Sequence, residues 1–457
     1  MTKWRRIKYH PNLPLGENGQ RVTASAEHIE LSKNAAKEGM VLLKNSGNIL
    51  PFAKGTKLAL FGIATFDYVK GGGGSGDVTV SYTTDLYDGF KKLNDRVEVC
   101  EELADFYRNY IQEISDTFYW PGQKPEPELP NSLCESVREY TDTAVISISR
   151  FSGEGWDRDL KGHPMYEEGD FYLSNAERAM VEQVKKYFPK IVVVMNVGGV
   201  VDTTWFKEND KVQSVLFAWQ LGIEGGSAMA DIILGEANPS GKFVDTFAKT
   251  LADYPSSDTF HESIHYVDYK EDIYVGYRYF DTFNVEPMYP FGYGLSYTSF
   301  DIEPYDVIID ESVVNVYVRV KNIGKTTGKE VVQCYISAPD GKLEKPYQDL
   351  CAYAKTTELL PDRSEDIALS FDIADMASYD EENAQYILEA GKYLVRVGNS
   401  SRNTHVACVI DIKEEIVCAK TINRLTVQSD ALKLISKQGV APFSHENEQN
   451  EIENATV

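Results

Sequence analysis

The first 250 residues alternate between two kinds of hydrophobic pattern. Apolar residues recur at helical spacing over residues 24–45, and the capping box Ser174-Asn-Ala-Glu177 opens another amphipathic stretch. Short, nearly continuous runs of valine and isoleucine lie between the helical stretches and are typical of buried strands. Together they predict a mainly parallel sheet covered by helices on both faces. The predicted strands cover residues 57–62, 97–100, 143–149, 191–196 and 212–218, and further helices cover 85–93, 103–118 and 222–234.

The second half of the chain has a different pattern. Residues 251–299 are dense in tyrosine, phenylalanine, glycine and proline, and we interpret their aromatic residues as interdomain packing rather than as a binding platform. After Phe300, strand-like runs recur between turn residues, which predicts a small antiparallel β-sandwich. A modest helix is predicted over residues 427–437, ahead of an acidic end that we expect to be mobile. The strand-like runs cover residues 313–322, 330–337, 348–358, 364–373, 391–399 and 406–413.

These changes of pattern predict how the 457 residues are organised. The fold class is an α/β sandwich followed by an all-β sandwich of the immunoglobulin type. The predicted parts are an N-terminal arm (1–23), an α/β-sandwich domain (24–250), an aromatic and glycine-rich connecting segment (251–299), the all-β domain (300–413) and a C-terminal tail (414–457).

Composition and charge exclude several classes of function. Hydrophobic residues make up 42% of the chain, which is typical of folded domains. The net charge of −24 opposes binding to nucleic acid or to anionic membranes, whereas a neutral sugar is compatible with it. No apolar leader follows the first residues and no apolar run is long enough for a membrane span, so we expect a cytoplasmic protein. Cysteines and histidines lack metal-site spacing, so we predict no metal and no cofactor.

A glycine-rich loop, Lys70-Gly-Gly-Gly-Gly-Ser-Gly-Asp77, is the most conspicuous local motif. Its glycines satisfy the GxGxxG pattern of dinucleotide-binding turns, but several residues separate it from the preceding strand. The context therefore favours a loop at the edge of a site over a purely structural turn. A nucleotide-binding α/β protein that uses this loop remains a third hypothesis, which a missing thermal shift with NAD or ATP would exclude.

A second motif, Ser152-Gly-Glu-Gly-Trp-Asp-Arg158, follows a predicted buried strand and should lie at the carboxyl edge of the sheet, where ligands bind in such folds. The glycines beside Glu154 allow close approach to a ligand, and the Trp156 indole offers a stacking face for a sugar. An apolar neighbour raises a glutamate pKa toward the range of a general acid. The competing interpretation is an ordinary surface ion pair between Glu154 and Arg158.

Both motifs belong to a series of blocks that resembles glycoside hydrolase family 3, and its bacterial β-glucosidases in particular. The resemblance covers the α/β-sandwich and fibronectin type III-like domains of that family, without its (β/α)8 barrel. Besides the two motifs, the blocks are Glu38-Gly-Met-Val-Leu-Leu-Lys-Asn45, Ala218-Trp-Gln-Leu-Gly-Ile-Glu-Gly-Gly226, Asn238-Pro-Ser-Gly-Lys242, Val275-Gly-Tyr-Arg-Tyr-Phe-Asp281 and Pro290-Phe-Gly-Tyr-Gly-Leu-Ser-Tyr297.

The resemblance implies a retaining glycosidase, whose reaction uses one carboxylate as nucleophile and another as acid/base. It implies that Glu154 is the acid/base. The family's aspartate nucleophile lies on the barrel, typically in a Ser-Asp-Trp context, and this triplet does not occur in the sequence. The chain begins with the sandwich and ends where a barrel would begin, so it looks like the front half of a reversed-order enzyme. The residues expected to shape the site around Glu154 are Trp156, Asp157, Arg158, Gly73, Ser75 and Gly76.

The predicted function is therefore the acid/base-bearing part of a β-glucosidase-like enzyme. It would hydrolyse terminal β-D-glycosidic bonds once a barrel is supplied by a missing C-terminal part or by a partner chain. The alternative is a non-catalytic carbohydrate-binding or assembly module that retains the scaffold. The expected partners are a carbohydrate and a barrel domain, with no nucleic acid and no membrane. An apolar docking surface left exposed would also favour a homo-oligomer.

Overall fold

The computed structural model describes residues 24–118, 121–156, 158, 161–162, 165–424 and 432–457. The predicted arm (1–23), Asp157 and the first part of the helix predicted over 427–437 lie outside the described residues.

The N-terminal domain is built on one sheet with the strand order β1-β6-β5-β4-β2-β3 in the described part of the chain. Strands β6, β5, β4, β2 and β3 pair in parallel, and β1 pairs antiparallel with β6 at one edge. Every residue of β4 is buried, because helices cover both faces of the sheet. The strands are β1 (Val41–Asn45), β2 (Thr56–Phe61), β3 (Val97–Val99), β4 (Thr143–Arg150), β5 (Lys190–Val197) and β6 (Val212–Phe217).

The helices of this domain enclose two hydrophobic clusters, one on each face of the sheet. The predicted capping box is present: the Ser174 hydroxyl accepts the Glu177 amide at 3.1 Å, and Glu177 Oε2 accepts the Ser174 amide at 2.8 Å. The helices are α1 (Ala26–Gly39), α2 (Leu86–Lys92), α3 (Glu101–Ile114), α4 (Asn131–Tyr140), α5 (Asn175–Tyr187), α6 (Thr204–Lys207) and α7 (Gly225–Ile233).

The fold-class prediction is confirmed, but the helical interpretation of residues 24–45 is wrong in its last part. Helix α1 ends at Gly39, and residues Val41–Asn45 form strand β1 instead. A short apolar run fits either a helix or a strand by itself. The free edge of β6 decides between them, because pairing there satisfies the backbone of β1 while its apolar residues enter the core.

The all-β domain packs two antiparallel sheets around a valine-rich core. One sheet has the order β10-β9-β14-β15, the other has the order β11-β8-β7, and β12-β13-β16 form a smaller sheet beside them, all within the described residues. The strands are β7 (Phe300–Asp310), β8 (Val313–Asn322), β9 (Val331–Ser337), β10 (Asp349–Lys355), β11 (Ser364–Asp372), β12 (Ser378–Asp380), β13 (Gln385–Leu388), β14 (Gly391–Ser400), β15 (Asn403–Ile412) and β16 (Ile416–Lys420).

The C-terminal segment is packed on the protein. Residues 432–437 have no regular structure, so the predicted helix is wrong there, and a helix α9 (Glu448–Asn454) forms further along. The Val409 amide of β15 donates to the Thr456 carbonyl at 2.8 Å, and Glu448 is buried against Arg396. The described part of this end is therefore docked on the protein, whereas the sequence predicted a mobile end.

The connecting segment carries helix α8 (Tyr277–Thr282) and lies between the two domains. The Tyr277 ring contacts Phe291 at 4.8 Å and Tyr335 of the all-β domain at 5.9 Å between centroids. Tyr289 of the same segment contacts Phe243 on the other side at 5.8 Å. These aromatic residues therefore pack between the domains, as the sequence predicted. Within the described residues, the helices are all too short or too polar to cross a membrane.

Candidate active site

The Glu154 motif lies at the carboxyl edge of the sheet. Strand β4 ends at Arg150, and residues 151–156 continue from it as an irregular loop, which we call the Glu154 loop. Strand β2 is the parallel neighbour of β4, and the chain that leaves β2 reaches the glycine-rich loop of residues 70–77 at the same edge. The two motifs singled out in the sequence are therefore brought together by neighbouring strands.

Backbone contacts hold the two loops against each other. The Gly73 amide donates to the Ser152 carbonyl at 3.2 Å, and the Glu154 amide donates to the Gly73 carbonyl at 3.4 Å. A Cβ atom on Gly153 would lie only 2.1 Å from the Gly73 nitrogen, so a side chain there would push the loops apart. Glycine is thus required at this contact by close backbone approach.

The Glu154 side chain is exposed, and its Oε2 accepts the Ser75 amide of the glycine-rich loop at 2.8 Å. Hydrogen bonding from Ser75 holds the pKa of Glu154 below its ordinary value. The sequence argument that an apolar neighbour would raise this pKa is wrong for the chain as described. Trp156 lies nearby but does not bury the carboxylate, so water and the Ser75 amide stabilise the charged form.

Trp156 presents an open aromatic surface beside Glu154. Its side chain is 40% exposed, and its ring meets Phe151 edge-on with 6.1 Å between centroids. A Cβ atom on Gly73 would lie 3.1 Å from the indole, so the glycine lets the ring rest on the neighbouring loop.

Arg158 is directed toward the scaffold rather than toward Glu154. Its Nε donates to Asp170 Oδ2 at 2.6 Å, and its Nη1 donates to the Val200 carbonyl at 3.1 Å. The hydrogen bond at the Glu154 carboxylate comes from Ser75, so the structure replaces the suggested Glu154–Arg158 ion pair with two separate contacts. Arg158 is thus anchored to the scaffold two positions after the end of the Glu154 loop.

Ser75 and Gly76 lie on different sides of the glycine-rich loop. Ser75 faces Glu154 through its amide, whereas Gly76 lines a pocket of about 340 Å³ between this loop and helix α1. Lys70 and Asp77 pair at the base of the loop. Asp157, the remaining predicted site residue, is outside the described residues.

The sequence analysis missed a set of buried charges beneath the Glu154 loop, formed by Arg150, Asp170 and Glu177. The available signal was Arg150 itself, because an arginine at the end of a buried strand needs a buried partner. The capping-box residue Glu177 was recognised only for its role at the start of α5.

The site as described supplies one carboxylate suited to proton transfer. Retaining hydrolysis requires a second carboxylate about 5–5.5 Å away. The described strands form the sheets given above, and no (β/α)8 barrel occurs among the described residues. The described residues likewise hold no group of three or more His, Cys, Asp or Glu side chains suited to a metal ion.

Comparison with protein-family models identifies the class of protein to which this fold belongs. Residues 40–297 match the glycosyl hydrolase family 3 C-terminal domain, and residues 330–401 match the fibronectin type III-like domain. The chain belongs to glycoside hydrolase family 3.

Named relatives agree with this assignment. The chain is 49% identical to beta-glucosidase A of Butyrivibrio fibrisolvens over 94% of its own length and 56% of that protein. It is 37% identical to a beta-glucosidase of Ruminococcus albus over 82% of its own length and 40% of that protein. The chain thus spans about half the length of the curated relatives it matches.

A solved structure, beta-glucosidase 3B from Thermotoga neapolitana in complex with glucose, is 39% identical and superposes with a TM-score of 0.77. The match covers 86% of this chain and 55% of that one.

Proposed function

We propose that this chain is the acid/base-bearing part of a retaining β-glucosidase and that Glu154 is its acid/base. The observation that carries the proposal is the exposed Glu154 carboxylate at the carboxyl edge of the sheet, in a chain of this family. Relatives at 49% and 37% identity are named beta-glucosidases, which supports a β-glucoside as the substrate. Trp156 offers the adjoining stacking surface.

In this proposal Glu154 acts twice. It first protonates the glycosidic oxygen while a carboxylate on another domain attacks the anomeric carbon and forms a glycosyl-enzyme. The Glu154 carboxylate then removes a proton from the water that hydrolyses this intermediate. The other domain supplies the nucleophile and brings the two carboxyl groups to about 5–5.5 Å.

The low pKa of Glu154 in the described chain is consistent with an active site that is shared between this chain and a second domain. A general acid must carry its proton when the substrate arrives, and the Ser75 amide favours the ionised form. Covering the Glu154 loop with a second domain would remove water and raise the pKa. The proposal therefore assigns two tasks to the other domain: it provides the nucleophile and it encloses the acid.

A non-catalytic carbohydrate-binding module is the second candidate. The exposed indole of Trp156 favours it, because an accessible aromatic face binds sugar rings without any chemistry. This candidate predicts sugar binding by titration calorimetry and no hydrolysis with any partner domain.

The test combines this chain with the part of the Butyrivibrio fibrisolvens enzyme that lies outside the matched region. Hydrolysis of an aryl β-glucoside is measured for the chain alone, for the added part alone and for the mixture. We expect activity only in the mixture. Glu154→Gln should then lower kcat by about 10²–10⁴-fold, and azide should restore part of the rate.

Glu113→Gln, an exposed glutamate on helix α3, is the matched control and should leave the rate unchanged. An active mixture with an unaffected Glu154→Gln variant would refute the role of Glu154. A folded complex that binds glucose without hydrolysing the substrate would favour the second candidate.

A further inference from the structure

Glu154 lies midway between two arginines that converge on one residue. Arg150, four positions before it, and Arg158, four positions after it, both donate hydrogen bonds to Asp170. Asp170 is buried, and the family match gives it no role. The two ends of the segment that carries Glu154 are therefore fixed to the same point of the scaffold.

The first end is held through the main chain of Asp170. Arg150 Nε donates to the Asp170 carbonyl at 2.7 Å, and its guanidinium makes a bidentate pair with Glu177 at 2.7 and 2.8 Å. Arg150 also stacks at 4.6 Å from the Tyr166 ring centroid. Since the Arg150 side chain is buried and fully engaged, it is a rigid anchor for the end of β4.

The second end is held through the side chain of Asp170. Arg158 Nε donates to Asp170 Oδ2 at 2.6 Å, its Nη2 donates to the Asp170 carbonyl at 3.1 Å, and its Nη1 reaches the Val200 carbonyl. The Asp170 carboxylate is buried whereas the Arg158 side chain is partly exposed, so the pair is shielded on one side. This contact is the one that a change of the Asp170 side chain can remove selectively.

We propose that Asp170 is the positioning residue of the Glu154 loop: by holding Arg150 and Arg158 together it fixes the orientation in which the Glu154 carboxylate meets the Ser75 amide. The inference rests on the proposed role of Glu154 for its catalytic meaning. The structural claim, that Asp170 orients Glu154, does not depend on that role, because the orientation of Glu154 is measurable in this chain without substrate. Small displacements matter here, since misplacing a catalytic group by about 1 Å costs up to about 10²-fold in rate.

The test uses the full chain and the variant Asp170→Asn, which keeps the shape and the carbonyl but removes the carboxylate. Arg158→Gln breaks the same contact from its exposed side and serves as a second variant if Asp170→Asn does not fold. Two readouts report on the loop: titration of the Glu154 carboxyl by ¹³C NMR and hydrogen exchange of the Ser75 amide. Asp366→Asn is the matched control, because it removes a carboxylate from an exposed arginine pair in the all-β domain.

We expect the Glu154 titration midpoint in both variants to move up toward the ordinary glutamate value. We also expect the Ser75 amide to exchange at least about tenfold faster. Because the Arg158 Nε–Asp170 Oδ2 contact is the one that both changes remove, the double variant should add little to Arg158→Gln alone. The control should alter neither readout. In the reconstituted enzyme, kcat should fall while KM is retained.

Folded Asp170→Asn and Arg158→Gln variants with unchanged titration and exchange would overturn the inference. A reconstituted mixture without activity would count against the proposed function only, since the two readouts need no hydrolysis. An altered titration in the variants together with an unchanged kcat would show that Asp170 positions Glu154 but that Glu154 is not the acid/base.

Discussion

The Glu154 loop and the contact between the two domains use polar residues in opposite ways. In the Glu154 loop the carboxylate is exposed and accepts one hydrogen bond from Ser75. In the interdomain seam, which we define by Asp281, Arg402 and Gln348, the central Asp281 is 1% exposed and bonded on both carboxylate oxygens. A carboxylate is thus exposed to solvent in the Glu154 loop, whereas the carboxylate of Asp281 in the seam is buried and accepts hydrogen bonds on both oxygens.

The seam is a hydrogen-bonded network in which the buried Gln348 Oε1 is the one side-chain oxygen of the three defining residues without a partner among the described residues. Arg402 pairs with Asp281, and Gln348 Nε2 donates to Asp281 Oδ2 at 2.9 Å and to the Ser401 carbonyl at 2.6 Å. A second buried pair, Lys242 with Glu330 at 2.7 Å, joins the domains elsewhere. Buried polar groups that satisfy one another fix a unique arrangement of the elements that carry them.

Mutations in the two regions should therefore have different effects. A change in the seam should cost stability and leave the Glu154 loop as it is, because the two charged groups of the seam are buried and bonded to each other. A change in the Glu154 loop should alter the chemistry of Glu154 and cost little stability, because that carboxylate is open to a partner or substrate.

The largest expected effect is that of Asp281→Asn. The substitution leaves the largely buried Arg402 with only the exposed Glu286 carboxylate, 3.6 Å away, so we expect the free energy of unfolding to fall toward the lower end of about 3–5 kcal/mol. Urea denaturation measures the change. Asp366→Asn, whose partner Arg319 is half exposed, should cost much less, because water already solvates both charges of an exposed pair. If Asp281→Asn and Asp366→Asn lowered the free energy of unfolding equally, the distinction between buried and exposed ion pairs would be contradicted.

An intermediate effect is expected when the pH is lowered, because acid should weaken the docking of the C-terminal segment. Burial opposes ionisation of Glu448, but hydrogen bonds from Ser444 and Tyr347 and the charge of Arg396 outweigh it, so its pKa lies below the ordinary 4.5. The folded state thus favours the carboxylate, and its stabilisation is present above pH 4.5 and is lost as the pH falls through the lowered pKa. Limited acid proteolysis should release the segment first.

Glu448→Gln supplies the control for this pH dependence. Because glutamine does not titrate, the release of the segment in that variant should not depend on pH over the same range. A wild-type segment that stays docked at a pH where NMR shows Glu448 to be protonated would show that the Glu448 carboxylate does not hold it.

The smallest effect on stability is expected from Gly153→Ala. The new Cβ atom would lie within 2.8 Å of three Gly73 backbone atoms, which cannot move aside as a side chain could, so we expect overpacking to cost about 1–3 kcal/mol. The Ser75–Glu154 hydrogen bond should weaken, so the Glu154 pKa measured by NMR should rise toward its ordinary value. Gly39→Ala has open space around its Cβ and should change neither quantity. A large loss of stability in Gly153→Ala would show that the loop contact is structural.

Much of the fold could be predicted from local patterns. Continuous apolar runs located β2, β4, β5 and β6, because a strand buried on both faces excludes polar residues. The capping box located the start of α5. The strand β1 could not be found in this way, since its apolar run fits a helix equally well and only the edge of β6 selects the strand.

Residues near one another in the chain were enough to predict the order of the two domains, the family motifs and a glutamate between glycines after a buried strand. Folding was needed to show that Ser75 meets Glu154, that Arg158 turns to Asp170, and that Arg150 and Glu177 lie beneath them. Ser75 and Glu154 are 79 positions apart, and the parallel neighbours β2 and β4 bring them to one edge of the sheet. The contacts of Arg158 with Asp170 and of Arg150 with Glu177 depend on how the connection from β4 to α5 folds back on the sheet. The charge state of Glu154 follows from those contacts, which is why local sequence gave the wrong direction for its pKa.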